Sequence, residues 1–214
     1  ISAQNLPEQL LILQHDKDAF NRWEAGQQLM VQAVLAALGQ DDLTATPLPA
    51  ELLAVLRSVL RDESLDAGLR TAILTLPAES YLAEQVQVLD AQKLHRVREA
   101  MRAQLAHELQ ADWQAVLAAH SDTGAYVPEA RAAGRRALAN LALSAICLQA
   151  VATNDTVQQG KTLQRFKDAS NMTDRWGALT ALASSRSALA QAALDKFYQL
   201  YKDEARVIDK WFAL

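Results

Sequence analysis

A single cysteine in 214 residues, Cys147, leaves no intrachain disulfide to form. Its place inside the apolar run LALSAICLQAVA reads as a small buried hydrophobe rather than a nucleophile. Glycine (seven) and proline (five) are scarce, so few positions force a helix to stop. No stretch reaches the ~18 uninterrupted apolar residues that a membrane span requires, and no membrane partner is expected. No basic block could neutralise a row of phosphates either, because the 21 basic and 25 acidic residues are spread along the chain. A nucleic-acid partner is therefore not expected. The opening segment ISAQNLPEQL has neither a basic flank nor a hydrophobic signal core, which points to a cytoplasmic protein.

What is present is a helical composition. Half of the residues are apolar, enough for a sizeable core, and Ala, Leu, Gln, Glu and Arg lose little side-chain freedom in a helix. Asn5 and Glu8 form a capping-box pattern at the start of LPEQLLILQ. Asp18 is placed to cap AFNRWEAGQQLMVQAVLAAL, which Gly39 ends by turning into the left-handed conformation. ELLAVLRSVLRD follows a proline-bearing segment, Asp66 opens AGLRTAILT, and residues 78–88 make one more short helix. Asp90 caps a long helix to about Ala118, along which Leu94, Val97, Met101, Leu105, Leu109, Trp113 and Val116 draw one apolar stripe.

Pro128 suits the first position of the next helix, EARAAGRRALANLALSAICLQAVA, whose apolar second half predicts the most buried element. Asp155 caps a helix to about Asp168, Thr173 caps DRWGALTALASS after a corner at Asn171, Ser187 caps ALAQAALDKFYQLYK, and ARVIDKWFAL closes the chain. About ten helices and no strand are expected. Short connections favour antiparallel hairpins stacked into an all-α, irregular helical repeat, an α-α superhelix without a fixed period. No Gly- or Ser-rich linker divides the chain, so residues 1–214 are read as one helical domain.

The motifs that carry chemistry are incomplete. His107-Glu108-Leu109-Gln110-Ala111 lacks the second histidine that a zinc-protease helix needs where Ala111 stands. His95 and His107 are twelve residues apart, about 120° around a helix, so they face different ways. His15 and His120 fall at helix ends and read, like the other two, as solvated or capping imidazoles. Gly160-Lys161-Thr162 resembles the end of a phosphate loop, but Asp155 stands where its first glycine belongs and the context is helical. Arg135 and Arg136 beside Gly134 have the charge to hold an anion, although basic residues on a helix surface are more often simply solvated. No Ser, His and Asp suggest a nucleophile with its base. Catalytic and metal-binding residues are accordingly expected to be none, and no cofactor is expected in this chain.

Three segments carry a resemblance: HDKDAFNRWEAGQ at 15–27, GRRALANLAL at 134–143, and NMTDRWGALTAL at 171–182 together with DKWFAL at 209–214. Together they resemble the C-terminal helical domain of bacterial aminopeptidase N, a zinc metallopeptidase family, in the family's order and over essentially the whole chain. In the segments themselves Phe20 and Trp23 are expected to face inward, and Trp211 and Phe212 to anchor the last helix. The resemblance implies a zinc enzyme whose H-E-x-x-H, later Glu and G-x-M-E-N segment lie in an earlier catalytic domain; neither motif occurs here. It further implies that this chain is a fragment of a larger C-terminal domain, since family members continue past DKWFAL.

The function so implied is non-catalytic. The domain would cap the active-site cavity and gate peptide access, with the catalytic domain of the same polypeptide and its peptide substrates as partners and zinc confined to the parent enzyme. Basic residues of such a domain can line the passage, but the residues of a substrate channel are not identified by the sequence. The alternative is an independent helical-repeat module that binds a protein partner on its concave face, which rests on fold class alone.

Overall fold

The computed structural model describes residues 6–40, 47–121 and 126–214, so the proposed Asn5 cap lies outside the described residues. Among them are twelve α-helices and no strand, against the ten or so expected. Contacts gather into two compact units, 1–112 and 113–214. The first unit holds α1 (Leu6–His15), α2 (Ala19–Leu38), α3 (Ala50–Arg61), α4 (Ala67–Leu74), α5 (Glu79–Ala83) and α6 (Ala91–Glu108). Helix α7 (Gln110–His120) begins where it ends, and the second unit continues with α8 (Ala130–Ala152), α9 (Thr156–Asp168), α10 (Met172–Ser184), α11 (Ala190–Tyr201) and α12 (Ala205–Phe212).

Several charged side chains serve helix ends. Four aspartates sit at N-caps and accept from first-turn amides: Asp18 from Phe20, Asp66 from Gly68 and Leu69, Asp90 from Lys93, and Asp155 from Gln158. Each satisfies amide groups that have no partner inside the helix and complements the positive end of its dipole. Cationic side chains do the converse at C-termini. Arg22 Nε donates to the Leu13 carbonyl at 2.9 Å, Arg70 Nη1 to Leu60 at 3.1 Å, and Arg57 Nη2 to Glu108 at 2.8 Å, serving α1, α3 and α6. Lys93 Nζ reaches the Leu38 and Gln40 carbonyls at the end of α2, at 2.8 and 2.6 Å. In the second unit Arg135 closes α7 at Ala119, and Arg175 closes α9 at Ala169.

In the first unit α2 packs on α1, α4 and α6, and Leu29, Met30, Leu56, Leu60 and Ile73 are sealed from solvent. Gln104 on α6 is buried and clamps residue 48 from both sides, accepting from its amide at 2.8 Å and donating to its carbonyl at 3.0 Å. In the second unit α10 lies against both α8 and α9. Small residues of α10, Ala178 and Ala181, alternate with Leu179 and Leu182 and let Phe166 of α9 and Phe197 of α11 fill the centre. The apolar second half of α8 is buried through Leu143, Ile146, Cys147 and Ala150, as expected of it.

Several local expectations are corrected. The long helix from Asp90 is two helices, because the chain turns at Leu109 (φ −106°, ψ 20°); its stripe nevertheless stays buried from Leu94 to Val116. Gly39 ends α2 in a right-handed conformation, φ −77°, so its amide reaches Leu35 and Ala37 without a left-handed turn. Pro128 lies one residue ahead of the N-cap, Glu129, rather than in the first turn of α8. Thr173 is inside α10, and the cap is Asn171, whose Oδ1 accepts from the Asp174 amide at 2.9 Å while its Nδ2 donates to Asp174 Oδ2 at 2.8 Å. That reciprocal pair outcompetes a threonine hydroxyl two residues later. Asn171 therefore opens α10, and α9 stops before it at Asp168. Ser187 does not cap α11 directly; it accepts from the Leu189 amide and donates to Gln159 Oε1 at 2.8 Å, holding the turn before the helix.

Candidate functional site

The segments that carried the resemblance differ in what they build. In 15–27 the aspartates and Arg22 form the α1–α2 corner: Asp16 Oδ1 accepts from the Asp18 amide at 2.7 Å, and Asn21 donates to Asp16 Oδ2. Phe20 and Trp23, expected to face inward, are 61% and 37% exposed and touch each other, with ring centroids 5.7 Å apart. One turn separates them on α2.

The other segments converge on one cleft of about 390 Å³ in the second unit. GRRALANLAL contributes Asn140 from α8; NMTDRWGALTAL contributes Met172, Thr173, Trp176, Gly177 and Thr180 from α10; DKWFAL contributes Lys210 from α12. Gly177 makes the junction possible. A Cβ there would stand 2.3 Å from Asn140 Cγ, so only glycine lets the Asn140 amide lie on α10. Asn140 Nδ2 donates to the Thr173 carbonyl at 3.3 Å, which fixes the amide with Oδ1 as its remaining acceptor. Trp176 rests on Phe197, ring centroids 5.5 Å apart, and Lys210 Nζ lies 5.7 Å from the Trp176 ring centroid, within reach of a cation–π attraction.

On α12 the expected aromatic anchor is half right. Trp211 packs on the second-unit core and donates its indole N–H to the Leu194 carbonyl at 3.2 Å, whereas Phe212 is 73% exposed.

The remaining sequence candidates are occupied elsewhere. His107 faces Glu108 at 3.5 Å on the surface, His95 pairs with Glu79 at 2.8 Å, and His15 and His120 end α1 and α7. Gly160-Lys161-Thr162 lies in mid-α9, where the Thr162 hydroxyl donates back to the Gln158 carbonyl. Arg135 and Arg136 donate to the carbonyls of Ala119 and Val127, and Arg136 is buried over the Tyr126 ring. Cys147 is fully buried 3.2 Å from Ser185 Oγ, and burial pushes its thiol above the ordinary range despite the hydrogen bonds from Ser185 and Thr162. A thiol kept protonated is a poor nucleophile. No three His, Cys, Asp or Glu side chains gather into a metal-holding group among the described residues, so these residues do not fit the zinc that the resemblance implies for the parent enzyme.

Sequence reasoning did not find the cleft. Its signal was present only as Asn140 and Gly177 in two separate resembling segments, with nothing to show that they meet.

Residues 7–214 match a family described as "Domain of unknown function (DUF3458_C) ARM repeats". Aminopeptidase N of Caulobacter vibrioides is 32% identical over 200 residues, which cover 93% of this chain and 22% of that protein. Aminopeptidase N of Escherichia coli is 29% identical over 205 residues, covering 95% and 23%. The crystal structure of Legionella pneumophila aminopeptidase A in complex with aspartic acid has a similar fold, with a TM-score of 0.80 and 25% identity, over 99% of this chain and 25% of that one. The chain thus spans less than a quarter of the length of the curated relatives. It belongs to the DUF3458_C family of ARM-repeat domains, and its resemblance to the C-terminal helical domain of bacterial aminopeptidase N holds along almost its whole length.

Proposed function

We infer that this chain is the non-catalytic helical part of a zinc aminopeptidase, and that it caps the active-site cavity and admits peptides while excluding folded protein. The observation that carries this reading is its alignment, from one end to the other, with under a quarter of aminopeptidase N. One continuous helical domain, part of a larger C-terminal domain, is the organisation that goes with it. Zinc and the peptide-cleaving groups would belong to the catalytic domain of the same polypeptide. The buried lone thiol suits a cytoplasmic setting.

The test uses the complete polypeptide that contains this chain. A gate predicts that wedging this domain away from the catalytic domain leaves cleavage of an alanyl chromogenic amide within a few-fold, while long unfolded chains become substrates. If the two substrate lengths respond alike, gating is wrong. If the reading frame holds no upstream H-E-x-x-H with a later Glu, the independent binding module takes its place.

A further inference from the structure

The corner between α1 and α2 carries an aromatic pair that the first unit leaves uncovered. Phe20 is 61% and Trp23 37% exposed, and their rings lie against each other. Beside them a hollow of about 170 Å³ is lined by Ile12, Asp16, Asn21, Glu24, Ala25 and Gln28. Glu24 stands one turn after Phe20 on α2, so the hollow and the aromatic pair share an edge.

The acids around this surface are held in place from within. Gln32 donates to Gln9 at 3.2 Å, Gln9 to Gln28 at 2.9 Å, and Gln28 to Glu24 Oε1 at 3.3 Å, a row of amides that links the buried Gln9 to the Glu24 carboxylate. Asp16 accepts from the Asp18 amide and from Asn21. Three carboxylates, Asp16, Asp18 and Glu24, stand with one exposed ammonium, Lys17, because Arg22 is buried and donates to the Leu13 carbonyl. Among the described residues none of the three forms a salt bridge.

An apolar patch with a rim of one sign selects its partner by charge as well as by shape, and the partner that matches here is basic. Arginine fits better than lysine, since its planar guanidinium has donors for two carboxylates at once and a face that stacks on an aromatic ring. The hollow has room for one side-chain end and is smaller than a site for a free small molecule.

We propose that the α1–α2 corner is a docking surface for another domain of the same polypeptide, which places an arginine in the hollow between Asp16 and Glu24 and an apolar side chain on Phe20 and Trp23. The proposal rests on the reading of this chain as part of a longer aminopeptidase, since it spans under a quarter of the curated relatives and most of such a polypeptide is available as the partner. Covered in this way, the aromatic pair forms the apolar centre of the contact and the carboxylates fix its register.

Hydroxyl-radical labelling of the complete polypeptide, read at single residues by mass spectrometry and normalised to the reactivity of each free amino acid, tests this without any substrate. Failure of the docking surface is therefore distinct from failure of the gate, which is read from substrate length. Phe197, wholly buried, is the protected standard. Phe20 and Trp23 should be labelled about as slowly as Phe197, and not several-fold faster as their exposure in this chain alone requires. Glu24→Lys, at an exposed position, reverses the charge that meets the arginine and should raise labelling of Phe20 and Trp23 several-fold while Phe197 stays protected. Glu24→Gln, which keeps an acceptor for Gln28, should raise it less. Should Glu24→Lys expose Phe197 as well, Glu24→Gln alone decides. Phe20 labelled several-fold faster than Phe197 in the unaltered polypeptide would overturn the proposal. So would protection of Phe20 and Trp23 that the Glu24 substitutions leave unchanged, because the partner would then not be basic.

Discussion

Helices α8 and α12 are both apolar on more than one face, yet they end at opposite extremes of burial. Leu138, Leu143, Ile146 and Cys147 of α8 are covered, because α9 and α10 both lie on it. On α12 no residue is fully buried, since it packs chiefly on α11 and turns Val207 and Trp211 inward while Phe212 stays out. The number of covering helices, not the apolarity of the helix itself, decides which hydrophobic residue stabilises the fold. Phe20 and Trp23 teach the same in the first unit: both belong to a segment that resembles the family closely, and both are outside the core.

The contrast is broken most directly with one phenylalanine from each side of it. Phe197 is wholly buried, with Trp176 and Tyr201 rings 5.5 and 4.7 Å away. Phe197→Ala should cost about 3–5 kcal/mol in urea unfolding, through lost burial and the cavity left behind. Phe212→Ala should stay within about 0.5 kcal/mol, as expected of an exposed position. Comparable losses would mean that α12 is as well covered in solution as α11, and the contrast would fail.

A subtler test concerns how closely α8 and α10 approach. Gly177→Ala puts a methyl group against the Asn140 amide, which the Thr173 carbonyl holds in place, so about 1–3 kcal/mol should be lost. In an Asn140→Ala background the same change should cost markedly less, because the space is already open. A double-mutant cycle with no coupling would show that Asn140 swings aside freely and that the glycine is not required by the contact.

The all-α fold, four aspartate caps, the α6–α7 stripe and the central place of α8 were legible in the sequence because each depends on residues within a turn or two of one another. An aspartate before a periodic run announces its own helix. The cationic caps at C-termini were not legible: Lys93 serves carbonyls 53 and 55 residues away, and Arg57 one 51 residues away, pairings that only the tertiary fold creates. The cleft was hidden for the same reason, as Asn140 and Gly177 are far apart in the chain. The break at Leu109 escaped because the apolar stripe runs through it unbroken, so periodicity alone cannot see it. The Thr173 cap was misplaced by two residues because Asn, Thr and Asp all stand at that corner and only the geometry shows which pair closes.

The smallest expected effect is at a helix end that lacks the residue its backbone favours. Helices α8 and α10 both finish in the same motif: the Asp155 amide bonds the Ala150 carbonyl and Asn154 bonds Val151, while Ser187 bonds Leu182 and Arg186 bonds Ala183. Each places one residue in the left-handed region, Asn154 and Arg186, both at φ 56°. Asparagine tolerates that region well, whereas arginine carries the full Cβ penalty of about 1–2 kcal/mol. Arg186 is exposed, so its side chain has little packing to lose. Glycine would remove the penalty and return part of the gain through its larger freedom in the unfolded chain, roughly 0.5–1 kcal/mol. Arg186→Gly should therefore stabilise the chain by about 0.5–1 kcal/mol, Arg186→Ala should give no such gain because alanine keeps the Cβ, and Asn154→Gly should gain less than Arg186→Gly. Thermal unfolding of the three variants checks the order. If Arg186→Ala stabilises as much as Arg186→Gly, the effect comes from losing the charge rather than from the backbone, and the left-handed turn at the end of α10 is not under strain.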